Sequence, residues 1–354
     1  MKLMAVAYIV EQNASITKEG ERLLVKKDKT VLHTLHAFKI EQIVLFGNVL
    51  LTPAAISYIL KMGIDTAFMS KNGRYRGRLQ GPYSKNITLR QQQFARMENP
   101  EFCLTTARFI VEGKINNLRS VLLRLNRSKK GINLDDRILQ IKALNRKVKD
   151  APDLDVLRGL EGRAAVVYFE GFAKGFLAEG VAFTKRTRRP PTDPVNALLS
   201  LGYTFLLNEV MGAVNMIGFD PYLGSLHALE YGRPSLPLDL MEEWRPLIVD
   251  TLVLSIFNLK VLTTDDFTIY KDPVEMLEED ATDESIPSDL LPVKLTNDGM
   301  RKFITQFERK MGQKVKHHLT GQHFTYRDCI REQIRHFARY LRGEEPAYQP
   351  MPLR

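Results

Sequence analysis
The chain has 354 residues, 44% of them hydrophobic, which suits roughly two domains with ordinary cores. Lysine and arginine outnumber aspartate and glutamate 51 to 41, a net charge of +10 that leans towards a polyanionic partner; a basic soluble protein without one is the plain alternative. The two cysteines, Cys103 and Cys329, exclude a disulfide-rich scaffold and a four-cysteine zinc site.

The first ten residues are too short, and too soon interrupted by Glu11, for a signal peptide, and no run of about 18 apolar residues suggests a membrane span. A cytoplasmic protein with no membrane partner is expected. Residues 1–86 read as a small β-rich domain. Met4 to Val10 is a short apolar run, Ser15 to Lys26 alternates around a Lys-Glu-Gly turn, and Ile43 to Phe46 precedes Gly47-Asn48. Thr66 to Met69, then Lys71-Asn72-Gly73, then Arg74 to Leu79 is a strong hairpin signal. Pro53 to Lys61 reads as one short helix inside this region.

Gly81 to Asn86 is punctuation, and beyond it the periodicity becomes helical. Helices are expected over Ile87–Glu98, Pro100–Asn126, Asn133–Lys149, Leu154–Ala178 and Pro194–Met216, the last opened by an Asp193-Pro194 cap and closed by Gly218. Leu247–Asn258, Met300–Met311 and Tyr326–Arg342 complete the set. Residues 272–289 hold eight acids and no base, which reads as a solvated loop. The expected fold class is α+β: the β-rich domain over 1–86, then a larger all-α domain over 87–354. There is no Gly-rich phosphate loop, no nucleophile elbow and no internal repeat.

The residues that carry chemistry gather in three places. Glu161 lies on the same helix face as Leu157, Ala164, Ala165, Tyr168 and Phe172, where a carboxylate costs several kcal/mol unless paired or bound to a cation. A solvated stripe-edge residue, or a partner for Arg163, is the bland reading. His227 is a lone imidazole in a segment of apolar and small residues, and such a histidine is more often structural than a ligand. Asp239, Glu242 and Glu243 sit at offsets of three and four; they either face a cation together or offset a helix dipole. One imidazole with two or three carboxylates suits magnesium or manganese.

The basic stretches are separate. Lys71 to Arg90 has six bases and no acid, and Lys114 to Lys149 has eleven bases and two acids. Lys185 to Arg189 is a third run, and Arg327, Arg331, Arg335 and Arg339 make a stripe at four-residue spacing. Each reads alone as a solvated face; together, with Tyr75, Tyr83 and Phe183 nearby, they favour a nucleic-acid track. His317, His318 and His323 lack metal spacing and read as surface or DNA-facing residues.

Gly159-Leu-Glu-Gly162, Asn196 to Tyr203, Gly218 to His227 and Gly232 to Pro246 together resemble the Cas1 family, the CRISPR-associated integrases that insert new spacers. Leu295 to Gly299, Tyr326-Arg327, Ile330 and Gln333 extend the resemblance, which covers nearly the whole chain. It implies a Glu, His and Asp-or-Glu metal set, here Glu161, His227 and Glu242, with Asp239 a further acidic position. Glu242 is preferred to Glu243 because the family spacing of three from Asp239 reaches it. The resemblance also implies metal-dependent attack of a DNA 3′-hydroxyl on a phosphodiester, with nuclease activity when water replaces it. The implied partners are double-stranded and branched DNA, a second copy of the chain, and a small Cas2 dimer bridging two such dimers. Arg74, Arg76, Arg78 and Arg163 are the expected DNA contacts. A structure-specific repair nuclease or transposon-type integrase would use the same residues. A silent DNA-binding scaffold would have no need of three such polar groups.

Overall fold
The computed structural model describes residues 5–81, 86–128, 131–178, 180–187, 191–227, 230–269 and 292–353. The acidic stretch 272–289, Arg188 and Arg189 of the third basic run, and Tyr83 lie outside them. Among the described residues, one compact unit takes 5–81 with Lys294–Ile304, and a second takes the remainder.

The first unit holds two four-stranded sheets. β1 (Ala5–Ile9), β5 (Ile40–Phe46), β7 (Asp65–Met69) and β8 (Tyr75–Leu79) form one in that order, with β1, β5 and β7 parallel and β8 antiparallel to β7. β4 (Thr30–His36), β3 (Arg22–Lys27), β2 (Ala14–Glu19) and β6 (Val49–Leu51) form the other. The Asn72-Gly73 hairpin joins β7 to β8 as its sequence requires. Ile16, Leu23, Ile43, Leu45 and Ile59 share one core, and α1 (Pro53–Met62), capped by Thr52, closes over it. β4 leaves no alternation to read, because nearly all of its side chains are exposed. A cavity of about 500 Å³ in this unit is lined by Glu11, Lys27, Arg301 and residues 296–298 of the Leu295 to Gly299 motif.

The second unit is helical: α2 (Ile87–Met97), α3 (Pro100–Ser128), α4 (Asp135–Val148), α5 (Leu154–Ala173), α6 (Pro194–Ile217), α7 (Ser235–Met241) and α8 (Thr251–Asn258). After the short strands β9 (Phe267–Ile269) and β10 (Val293–Leu295) come α9 (Asn297–Met311), which belongs to the first unit as far as Ile304 and to the second from Thr305, then the antiparallel pair β11 (Lys314–Lys316) and β12 (His323–Thr325), and α10 (Tyr326–Arg342). The strand pair adds β structure to a region that the sequence pattern reads as all helix. Asp193 caps α6 by accepting from Asn196 N at 2.8 Å, and Gly218 ends it at φ 101°.

By length and hydropathy alone α6 could cross a membrane, but 67% of its apolar window is buried inside the protein. It is a core helix that carries Glu209, bound to Arg327 on α10 at 2.8 and 2.9 Å. The arginine stripe on α10 is matched by acids: Arg327 also meets Glu308, Arg331 meets Asp328, and Arg335 and Arg339 meet Glu332. His317 is fully buried where the chain turns from β11, which corrects its reading as a surface residue; His323 is exposed. Its position follows from backbone bonds between His317 N and Gln322 O and between Gly321 N and His317 O.

Candidate active site
Four segments of the second unit bring the sequence-selected residues together. α5 begins at an Asp153 cap and buries Leu157, Ala164, Tyr168 and Phe172, leaving Glu161 partly buried on that side. The bland partner, Arg163, is exposed; Glu161 instead pairs with Lys114 from the middle of α3. The same ammonium pairs with the other carboxylate, Glu242, just beyond α7. Lys114 is nearly fully buried. Burial pushes its pKa down, but Glu161 and Glu242 outweigh this and raise it.

Glu242 is buried. Burial pushes its carboxyl up, yet Arg245, Lys114 and His227 together hold it down at about 2, so it is a carboxylate at neutral pH. Arg245 Nε lies 3.4 Å from Glu242 Oε1. Glu242 Oε2 is close to the Lys114 ammonium but accepts no aligned hydrogen bond, so the contact between them is one of charge.

His227 arrives on the loop that leads to α7. Its Nδ1 lies 2.6 Å from Asp239 Oδ1, and its Nε2 lies 4.0 Å from Glu242 Oε1. Asp239 also accepts the backbone N–H groups of Ser225, Leu226 and His227 at 2.6, 2.9 and 3.0 Å. The loop can wrap so closely because residue 224 is glycine: a Cβ there would stand 2.7 Å from Asp239 Oδ2 and from the Ser235 carbonyl carbon.

Asp239, Glu242 and Glu243 therefore do not share one face, and the helix-dipole reading fails because α7 ends at Met241, before both glutamates. Glu242 faces His227, whereas Glu243 accepts from Tyr348 Oη at 2.6 Å and Gln333 Nε2 at 3.3 Å. Burial pushes the Glu243 carboxyl up to about 8 against those donors.

Next comes a π-helical turn, Arg245–Asp250, before α8. Such turns recur at functional sites. Arg245 stacks over the Tyr203 ring at 4.7 Å, and Asp250 accepts from Tyr203 Oη at 2.6 Å and Tyr168 Oη at 2.8 Å. Burial raises Asp250 to about 6. Lys114, Arg245 and Asp250 are site residues that the sequence pattern alone did not single out. The signals for Lys114 and Asp250 were a lysine on the apolar stripe of Val111, Ile115 and Leu118, and an acid inside the run from Leu247 to Val253.

Of the expected DNA contacts, Arg74, Arg76 and Arg163 are exposed. Arg78 is not: its side chain is 4% exposed and pairs with Asp65 at 2.8 Å across the β7–β8 hairpin. Among the described residues, no three His, Cys, Asp or Glu side chains are closed around one point as a metal cluster. The donor set nevertheless fits a hard cation. It offers two carboxylates and an imidazole whose Nδ1 is engaged and whose Nε2 faces Glu242, the arrangement in which a carboxylate sets the ligand tautomer.

The family model described as CRISPR associated protein Cas1 matches residues 7–309. A curated relative from Thermus thermophilus, "CRISPR-associated endonuclease Cas1 3", is 36% identical over 353 residues, covering 99% of this chain and 98% of the relative. Among solved structures, "Casposase bound to integration product" is similar in fold, with a TM-score of 0.82, 24% identity, and coverage of 98% of this chain and 93% of that one. "Cas6-RT-Cas1--Cas2 complex" matches with a TM-score of 0.81 and 25% identity, over 99% of this chain and 36% of that longer one. With a family match over most of its length and a full-length relative at this identity, the chain belongs to the CRISPR-associated Cas1 family.

Proposed function
We propose that this protein is a CRISPR adaptation integrase: a metal-dependent DNA strand transferase that acts as an endonuclease when water takes the place of the incoming DNA end. One observation carries the reading. Two carboxylates from separate elements, Glu161 and Glu242, converge on one cationic group, and His227 turns its Nε2 towards Glu242, in a chain of the Cas1 family.

Glu161, His227 and Glu242 would hold a magnesium or manganese ion. When bound, the ion supplies Lewis-acid polarisation of the scissile phosphate and offsets transition-state charge. Asp239 keeps the His227 ring oriented, with Nδ1 engaged and Nε2 presented. Lys114 and Arg245 keep Glu242 ionised. In the reaction, the 3′-oxygen of the incoming DNA forms a bond to phosphorus while the bond to the target strand's 3′-oxygen breaks. The proton lost by one hydroxyl is matched by that gained by the other, so no co-reactant is needed. His227 is a ligand in this scheme, and a ligated imidazole is not free to act as a base.

Double-stranded and branched DNA are the proposed substrates, with Arg74, Arg76 and Arg163 as phosphate contacts because they are exposed. The proposed assembly is a homodimer, two of which are bridged by a Cas2 dimer; the likeness to a solved complex of Cas1 with Cas2 supports the Cas2 partner. We place the protein in the cytoplasm. The test is rejoining of a branched DNA in manganese by the wild type and by Glu161→Ala, His227→Ala and Glu242→Ala. The wild type should join strands, and each variant should bind DNA without joining it. Joining in excess chelator, or by the variants, overturns the reading.

A further inference from the structure
The residues after α10 return to the centre of the second unit. Residues 348–353 cross the middle of α3 and the segment that follows α7. Asn117 Nδ2 donates to the Glu243 carbonyl at 3.0 Å and to the Met351 carbonyl at 2.9 Å, and Leu353 N donates to Asn117 Oδ1 at 2.8 Å. The buried Glu243 carboxyl group accepts from Tyr348 Oη and Gln333 Nε2, and from the Met351 backbone N–H. Gln333 Nε2 also donates to Gln349 O at 2.9 Å, and Gln349 N donates to His336 Nε2 at 3.0 Å. The crossing is tight: a Cβ at Gly113 would overlap the Pro350 ring.

These anchors alternate with the residues of the candidate site. Lys114 follows Gly113 and lies three residues before Asn117, on the same side of α3. Glu242 directly precedes Glu243. Asn117 thus joins three segments at one point, and the Lys114–Glu242 ion pair spans two of them. A buried ion pair offsets its desolvation only when its geometry is held.

We propose that residues 348–353 act as a positioning strap for the catalytic centre, locking α3 to the segment after α7 and so fixing where Lys114 meets Glu242. This rests on the reading of Glu161, His227 and Glu242 as the catalytic set. Misplacing a reacting group by an ångström costs up to about a hundredfold in rate, so releasing the strap slows chemistry without touching DNA binding.

The experiment uses the full-length chain with Gly113→Ala, Met351→Pro and Met351→Leu. Alanine is a better helix former than glycine, yet at 113 it displaces Pro350. Proline at 351 removes the N–H that Glu243 accepts, and leucine keeps it. The readouts are single-turnover strand transfer, DNA affinity, and hydrogen exchange in α7 and around Lys114. Gly113→Ala and Met351→Pro should slow strand transfer by about tenfold or more, leave DNA affinity unchanged and speed exchange in both segments. Met351→Leu should restore wild-type behaviour. A wild-type rate despite faster exchange, or unchanged exchange in both variants, overturns the proposal. If the wild type joins no DNA, the catalytic reading fails, and exchange alone then decides whether the strap holds the two segments. If Met351→Pro does not fold, Gly113→Ala carries the test.

Discussion

Asp239 binds His227 twice with one oxygen: Oδ1 lies 2.6 Å from the ring Nδ1 and accepts the backbone N–H at 3.0 Å. Its other oxygen accepts from Ser225 and Leu226. All four partners are donors or can act as one, so a carboxylate suits the position and an amide does not. Asp239→Asn should lower strand transfer by about 10–100-fold, as loss of an outer partner to a ligating histidine does. It should also destabilise the fold by about 1–3 kcal/mol, because an amide N–H₂ would face backbone donors. Rate assays and urea unfolding test this; a wild-type rate would show that His227 orients without Asp239.

Lys114 pairs with two carboxylates at once, and removing it takes their shared cation from both. Lys114→Met should cost about 3–5 kcal/mol of stability, as breaking a buried pair does. If Glu161 and Glu242 also share a divalent cation, manganese should restore part of the loss. The measurement is the unfolding midpoint of both proteins with and without manganese. Equal deficits in the two conditions would argue against a shared cation.

Asp250 sets a pH dependence. Burial raises it from 3.8 to about 6, so the folded chain binds a proton there that the unfolded chain has already lost. This contribution to stability is complete below about pH 4 and is lost as the pH rises through about 6. Asp250→Asn should therefore gain stability relative to the wild type across that interval. Urea unfolding between those limits checks the sign, and parallel profiles would refute it.

Lys310 gives the opposite slope. Burial, then Arg124, lowers it from 10.5 to about 8, and its ammonium stacks over the Tyr326 ring at 4.9 Å. The cost of holding the charge is present below about pH 8 and disappears as the pH approaches 10.5. Because the residue is partly exposed, Lys310→Met should stabilise the fold by only about 1–2 kcal/mol at neutral pH. The gain should vanish in strongly alkaline buffer, as a thermal-unfolding series would record.

Local signals carried much of the fold. The Asp193-Pro194 cap and Gly218 mark the ends of α6, and the Asn72-Gly73 turn marks the β7–β8 hairpin. The period of Tyr326 to Arg342 gives α10 to the residue. What escaped depends on contacts between distant segments. Lys114 opens a basic run and reads as solvated, but its surroundings are set by acids 47 and 128 residues later. The α10 arginines do form a face, yet Glu209 and Glu308 reach Arg327 from other helices. The parallel pairing of β1, β5 and β7 has no turn to announce it. In the candidate site, the motifs pointed to Glu161, His227 and Glu242, while the cations beside them could be read only after folding.

The turn from Arg245 to Asp250 has a consequence for length rather than chemistry. A π turn holds one residue more than an α turn needs. Deleting a residue between Pro246 and Val249 would let this segment close as an ordinary α turn, and because the wide turn is what absorbs the extra residue, the helix after it would keep its direction. Asp250 would still face Tyr168 and Tyr203 and the apolar face of α8 would stay in the core, whereas one residue more would turn both away by about 100°. The spacing between Glu242 and Asp250 thus tolerates the loss of one residue far better than the gain of one.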